Sequence, residues 1–276
     1  MIKRDIIDSV EEYKLYLEEN ELSNKTVKKY LCDVEKFNQF ITFNRIIKKS
    51  DIIAYKKWLL KTYKISSVCS YLVSINKYFK WAGQKELIIK VERIPRKICL
   101  ENVISYEEYE KLLLYLKAKS PRDFLIAKTL AMTGIRVGEL QYITYEILFQ
   151  GEVIIFNKSK YRKIFLPKSL CILLINYCKS NNINAGCIFM GRDKSKPLNP
   201  STIWKCLKRA AVEVGIESQK VYPHSFRHLF AKRYMETIGN IAELSDILGH
   251  SSIEITRIYT LTTASEKRKN MELLGL

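Results

Sequence analysis

Apolar residues recur in steps of three and four along almost the whole chain, and one short stretch is the exception. Val27, Tyr30, Leu31, Val34, Phe37 and Ile41 follow this rhythm, as do Ile52, Tyr55 and Leu59, and then Tyr71, Leu72, Ile75, Tyr78 and Phe79. Such spacing lines one face of a helix. In "GEVIIFNKSKYRKIFLP" the rhythm changes. Val153–Phe156 and Ile164–Leu166 are β-type runs on either side of a basic turn, which predicts an antiparallel hairpin. The expected fold class is therefore mainly α, with a small antiparallel β-hairpin.

Helix punctuation divides this pattern into two domains. Ser9 with Glu12 reads as a capping box, Asn24 and Ser50-Asp51 as later helix starts, Ser66 as a fourth, and Gly83 as a stop. The result is a compact basic helical bundle over residues 1–95. "IIKVERIPRKICLENV" has neither period and contains Pro95, so residues 96–103 are expected to be a linker. A second domain follows over 104–276. It opens on Ser105 with Glu108, another capping box, and continues through Pro121 at a first helical turn and a break at Gly134. Beyond the hairpin, helices are expected at 168–179, 200–214, 225–238 and 240–248.

Composition narrows the partner. The 276 residues hold 47 Lys and Arg against 29 Asp and Glu, a formal charge of +18. The excess is spread out, with 19 basic against 12 acidic residues before position 96 and 28 against 17 from position 96 onward. A charge carried by both halves suits a protein that wraps a nucleic acid. Seven cysteines without a Cys-x-x-Cys pair read as reduced, buried thiols of a cytosolic protein. Three histidines without ligand spacing offer no zinc site, and no metal or cofactor is expected. No apolar run is long enough to span a membrane.

Four separated places combine charged or nucleophilic groups. In "TGIRVGEL", Arg136 follows a glycine break and Glu139 stands where it can orient the arginine, although a plain surface ion pair reads the same way. In "NKSKYRK", Lys158, Lys160, Arg162 and Lys163 compete to reach a phosphate or a leaving oxygen. In "PHSFRHLFAKRYM", His224 and Arg227 share a helix face, a pairing able to hold one phosphate. In "LGHSSIEITRIYT", Asn240 with Glu243 and Ser251 with Glu254 cap two helices around Gly249, a helix–turn–helix outline. Ile255, Ile258 and Tyr259 then read as a buried face. Tyr259, one of 17 tyrosines, reads by itself as core.

Taken in order, these places resemble the tyrosine recombinase (phage integrase) family. That family carries an arginine in T-G-x-R-x-x-E-L, a hairpin lysine, H-x-x-R, L-G-H, and a tyrosine nine residues after the last histidine. The chain has Thr133-Gly134-Ile135-Arg136-Val137-Gly138-Glu139-Leu140, the hairpin lysines, His224-Ser225-Phe226-Arg227, Leu248-Gly249-His250 and Tyr259. The motifs cover residues 104–265. Gly138 stands where the family often has Ser or Ala, and Thr260-Leu261 replaces a frequent Thr-His. The hairpin turn is one residue short, which leaves Lys158 as first choice and Lys160 as second.

The resemblance implies a site-specific DNA recombinase with a helical core-binding domain before its catalytic domain. Tyr259 would attack the phosphodiester to form a 3′-phosphotyrosine bond, needing neither ATP nor metal. Arg136 and Arg227 would hold the non-bridging oxygens, and His250 would donate a hydrogen bond to the phosphate. His224 would accept the phenol proton and Lys158 would protonate the leaving oxygen, while Glu139 holds Arg136. The implied partners are double-stranded DNA with specific sites and three further copies of the chain, a tetramer on two duplexes. The implied location is cytoplasmic, at the nucleoid, and Leu273, Leu274 and Leu276 would dock a terminal helix on a neighbour. The competing readings are a DNA-binding protein using the 240–259 outline without cutting, and a type IB topoisomerase.

Overall fold

The structure, a computed structural model, describes residues 9–41, 46–91, 103–157, 160–191, 193, 195–250, 252–259 and 272. The expectations placed on Lys158, Cys99, Ser251 and the terminal leucines lie outside these residues, as does most of the expected linker. The chain forms two compact units, Met1–Arg96 and Lys97–Leu276.

The first unit is helical. It contains α1 (Val10–Glu19), α2 (Asn24–Phe40), α3 (Lys49–Thr62) and α4 (Ile65–Trp81), followed by a 3-10 turn at Lys85–Leu87. The expected apolar rows become its core, with Val34, Phe37, Ile52, Tyr55, Leu59, Ile75, Tyr78 and Phe79 fully buried. Edge-to-face pairs tie the helices together. Phe37 meets Phe79 with ring centroids 5.7 Å apart, and Tyr13 meets Tyr78 at 5.1 Å. Buried Asp33 joins α2 to α4, accepting from Lys29 Nζ at 2.6 Å and Ser74 Oγ at 2.5 Å.

Several punctuation marks act differently from expectation. Ser9 makes no capping bond with its side chain, and its hydroxyl instead pairs with Tyr78 Oη at 2.7 Å. The cap of α2 is Ser23, whose Oγ accepts from the Thr26 N–H, so Asn24 is already helical. Asp51 accepts from the Lys48 N–H, and α3 begins one residue ahead of Ser50. Cys32 is exposed rather than buried, because it sits one step off the apolar stripe of α2.

The second unit contains α5 (Tyr106–Lys119), α6 (Pro121–Thr133), a 3-10 helix at Val137–Tyr142, and α7 (Ile147–Gln150). The antiparallel pair β1 (Glu152–Asn157) and β2 (Lys160–Phe165) comes next. Then follow α8 (Lys168–Ser180), α9 (Pro200–Glu213), α10 (Pro223–Thr237), α11 (Ile241–Leu248), α12 (Ile253–Thr256) and a 3-10 turn at Arg257–Tyr259. The Ser105–Glu108 capping box forms, and Pro121 occupies the first turn of α6. The fold is mainly α with one small antiparallel sheet among the described residues. Among those residues no helix is long and apolar enough to cross a membrane.

In the 240–259 outline the second helix is a single turn, α12, capped by Ser252, and the chain then tightens into a 3-10 turn. Tightening changes the phase of the buried face. Ile255 stays exposed, while Thr256 is fully buried and Tyr259, three residues on, half-buried.

Phe37→Ala should leave a cavity between Tyr55 and Phe79 and cost about 3–5 kcal/mol. Urea titration, followed by hydrogen exchange in α2–α4, reads the expected loss in the first unit.

Candidate active site

The turn after α6 sets the first arginine. Thr133 Oγ1 bonds back to Thr129 O at 2.6 Å and accepts from the Ile135 N–H at 3.3 Å. Between these bonds Gly134 takes the left-handed conformation, φ +62°. A side chain there would also collide, because a Cβ would lie 2.5 Å from Phe230 on α10. The chain leaves this turn with Arg136 extended, at the head of the 3-10 helix. Glu139 Oε1 accepts from Arg136 Nη1 at 3.1 Å, and Oε2 accepts from the Arg136 N–H at 2.9 Å.

Glu139 has a second cationic partner. It is buried, and its Oε2 also accepts a short hydrogen bond from Nη2 of Arg162 on β2. Burial alone would raise the Glu139 carboxyl. The Arg136 N–H and the Arg162 and Arg136 guanidinium groups overcome it and hold that carboxyl below the ordinary carboxylate range. Arg162 is one of the four hairpin cations that compete in the sequence for the outward-reaching role. The structure removes it from that contest: its side chain is buried under the Leu248–His250 turn. Gly249 there has φ +61°, and a Cβ on it would lie 2.6 Å from Arg162 Cδ. Lys163 pairs with Glu152 at 2.8 Å on the hairpin surface. Lys160 opens β2 opposite Asn157.

The same turn receives the other arginine. Arg227, buried on the first turns of α10, donates Nη1 to Gly134 O at 2.7 Å and Nη2 to Leu248 O in a short bond. Arg136 Nη2 reaches Gly249 O at 3.3 Å. The two guanidinium groups thus hold carbonyls left open at the C-terminal ends of α6 and α11. Each guanidinium has five N–H groups, so donors remain for an anion. Burial, and then the charges of Arg136 and Arg162, pull the Arg227 pKa downward. A bound anion would relieve that stress. Three arginines stand here against the Glu139 carboxylate.

Histidines and tyrosine complete the cluster. His224 lies at the second position of α10 and remains exposed. Partial loss of its water, then Arg227 and Arg136, lower its pKa. His250 follows Gly249, and its Nδ1 pairs with buried Thr256 Oγ1 at 2.8 Å. When the threonine hydroxyl donates, the ring proton sits on Nε2, free to donate onward. Burial and the surrounding arginines bring His250 down to about 4.

Tyr259 packs its ring on the small core of Ala231, Leu244 and Leu248. Its hydroxyl does not meet His224 among the described contacts; it meets Nδ1 of His228 at 2.5 Å. Burial lifts the phenol to about 12 against the pull of Arg227, and burial with His224 and Arg227 drops His228 to about 4. The expectation that His224 accepts the phenol proton therefore meets a different neighbour at the hydroxyl. An α10 residue four positions further along faces the tyrosine instead.

The structure thus gathers Arg136, Glu139, His224, Arg227, His250 and Tyr259 around one turn. Sequence reasoning missed His228, Thr256 and the inward role of Arg162. His228 carried a signal, since it lies four residues from His224 on the same helix face. Arg162 carried a weaker one: it is two residues before Ile164, so it shares that residue's face of β2. Thr256 carried none.

Comparison with known proteins decides the family. Residues 102–266 match the phage integrase family, and residues 10–86 match the phage integrase N-terminal SAM-like domain. The chain belongs to the phage integrase family. This recombinase is 30% identical to tyrosine recombinase XerA of Pyrococcus furiosus, over 97% of the chain and 94% of the relative. It is 27% identical to tyrosine recombinase XerD of Staphylococcus saprophyticus, over 94% of the chain and 96% of the relative. Among solved structures, its fold matches that of a lambda integrase dimer bound to a COC' core site, with TM-score 0.76 and 18% identity over 94% of the chain and 95% of the other. It also matches a XerH site-specific recombinase bound to difH substrate, with TM-score 0.71 and 21% identity over 89% and 78%. Membership makes the chain an enzyme of DNA strand cleavage and rejoining.

Glu139→Gln should cost about 3–5 kcal/mol, because it strands the buried Arg162 charge. The Glu139 pKa is lowered in the folded state. Its contribution is therefore complete above the unfolded value of about 4.3 and is lost as pH falls through the lower folded value. Denaturant midpoints from pH 7 down to pH 3 should converge for wild type and variant.

Proposed function

We propose that the chain is a site-specific DNA recombinase working through a 3′-phosphotyrosine intermediate on Tyr259. The observation that carries this reading is the convergence at the Leu248–His250 turn. A tyrosine hydroxyl and two arginines with unused donors come from separate elements, in surroundings with more positive than negative charge. Such a place suits an anion that must gain further charge in its transition state.

In this mechanism Arg136 and Arg227 hold the two non-bridging phosphate oxygens, and His250 donates from the ring nitrogen opposite its Thr256 bond. His224, exposed beside both arginines, adds a further contact to the phosphate. Glu139 keeps Arg136 aimed. The Tyr259 oxygen attacks phosphorus, and the 5′ oxygen leaves as a hydroxyl after taking a proton from a hairpin lysine, Lys158 or Lys160. The 5′-hydroxyl of the exchanged strand later attacks the phosphotyrosine, so the phosphoester energy is conserved and neither ATP nor a metal is called for. Exchange between two duplexes involves four strands, hence a tetramer. Residues 1–95 serve as the core-binding domain, 96–103 as the linker and 104–276 as the catalytic domain. The DNA substrate places the protein at the nucleoid in the cytoplasm.

The target half-site can be selected from a randomised duplex pool and rebuilt with a nick beside the scissile phosphate. On that substrate the wild type should leave a covalent protein–DNA band on a denaturing gel. Tyr259→Phe should bind with unchanged affinity and leave no band; a band in this variant rules out the assignment. Arg136→Ala should slow cleavage on the order of 10²–10³-fold, read as the rate of band appearance under single-turnover conditions.

A further inference from the structure

We infer that His228 is the group that receives the Tyr259 proton during strand cleavage. The inference rests on Tyr259 being the nucleophile and adds its missing base. A general base must lie within hydrogen-bond reach of the proton it takes. Nδ1 of His228 is 2.5 Å from the phenol oxygen, and the two rings are tilted at 45° with centroids 5.7 Å apart.

Both groups are neutral at rest, the phenol raised and the imidazole lowered. Proton transfer to His228 runs through the tautomer that carries its proton on Nε2, in which Tyr259 donates and Nδ1 accepts. The groups facing the imidazole are His224 and Arg227 from its own helix, His250 from the turn after α11, and Tyr259 from the final 3-10 turn. At rest burial first, and then this company, disfavours an imidazolium, so the tyrosine waits as a phenol. An arriving phosphodiester brings negative charge to Arg227 and offsets the part of that penalty that comes from repulsion.

The step balances. The Tyr259 O–H bond breaks as Nδ1–H forms, the phenol oxygen bonds to phosphorus, and the P–O5′ bond breaks. The departing oxygen takes its proton from the hairpin lysine. On rejoining, the incoming 5′-hydroxyl gives its proton back to the neutral lysine as its oxygen bonds to phosphorus, and the imidazolium returns its proton to the tyrosine as the phosphotyrosine bond breaks.

Two variants and two substrates test the assignment. His228→Asn places an amide oxygen where Nδ1 stands, so it can hold the phenol but cannot take its proton; His228→Ala removes both functions. The first substrate is the nicked duplex. The second carries sulfur in place of the bridging 5′ oxygen, a leaving group that departs without protonation. Both variants should melt and bind DNA like wild type, yet form the covalent complex on the order of 10²-fold more slowly on both substrates. If His228→Ala fails to fold, His228→Asn alone decides the matter. Wild-type rates in His228→Asn would overturn the proposal, as would recovery to the wild-type rate on the sulfur substrate, which would place His228 on the leaving-group side. Tyr259→Phe is run alongside. A covalent band in that variant sinks the nucleophile reading itself, whereas His228 variants at full rate with no band in Tyr259→Phe sink only the base.

Discussion

Glu139 lies buried, with one oxygen on the Arg136 guanidinium and the other shared between Arg162 and the Arg136 backbone N–H. A lone buried carboxylate would be costly, and so would a lone buried arginine beneath the Leu248–His250 turn. Together they offset each other's charge and join the 3-10 helix at Val137–Tyr142 to β2. Arg136 can then face the turn, and the turn can accept both arginines. Gly249 is part of the same arrangement, because any side chain on it would press on Arg162. The candidate site is thus built outward from a buried ion pair.

Much of this was legible in the sequence where local physics decides. The apolar rows of α2–α4, the capping box at Ser105 and the left-handed stop at Gly134 each depend on neighbours within a few residues, and they appear in the structure. The hairpin was legible for the same reason. What failed depended on distant partners. Ser9 was taken from its cap by Tyr78, 69 residues away. Arg162 looked like its basic neighbours until Glu139 drew it inward. The last helix was misphased because its single α turn passes into a 3-10 turn, which brings Thr256 rather than Ile255 to the inside.

The three histidines show the same division. His224 and His250 stand out in a linear reading because each belongs to a spaced motif. His228 has no motif of its own, and its place beside Tyr259 exists only after α11 and the final turn fold back onto α10. Its near-neighbour His224 carries the more visible pattern but stays at the solvent edge. A ring nitrogen buried against a phenol differs in chemistry from one facing water, even one helical turn away.

Arg227 spends two of its donors on the ends of α6 and α11, so it works as a structural staple beside the role proposed for it on phosphate. The hydroxyl of Tyr259 has no comparable duty: its ring packs on the small core, and its oxygen meets a single histidine. Decay in such a lineage would then run in a fixed order. A descendant that no longer needs to cut DNA can discard one oxygen atom at almost no structural cost, whereas discarding the arginine unpins two helices. Fossil members of this kind of enzyme should keep their arginines long after the tyrosine has become phenylalanine.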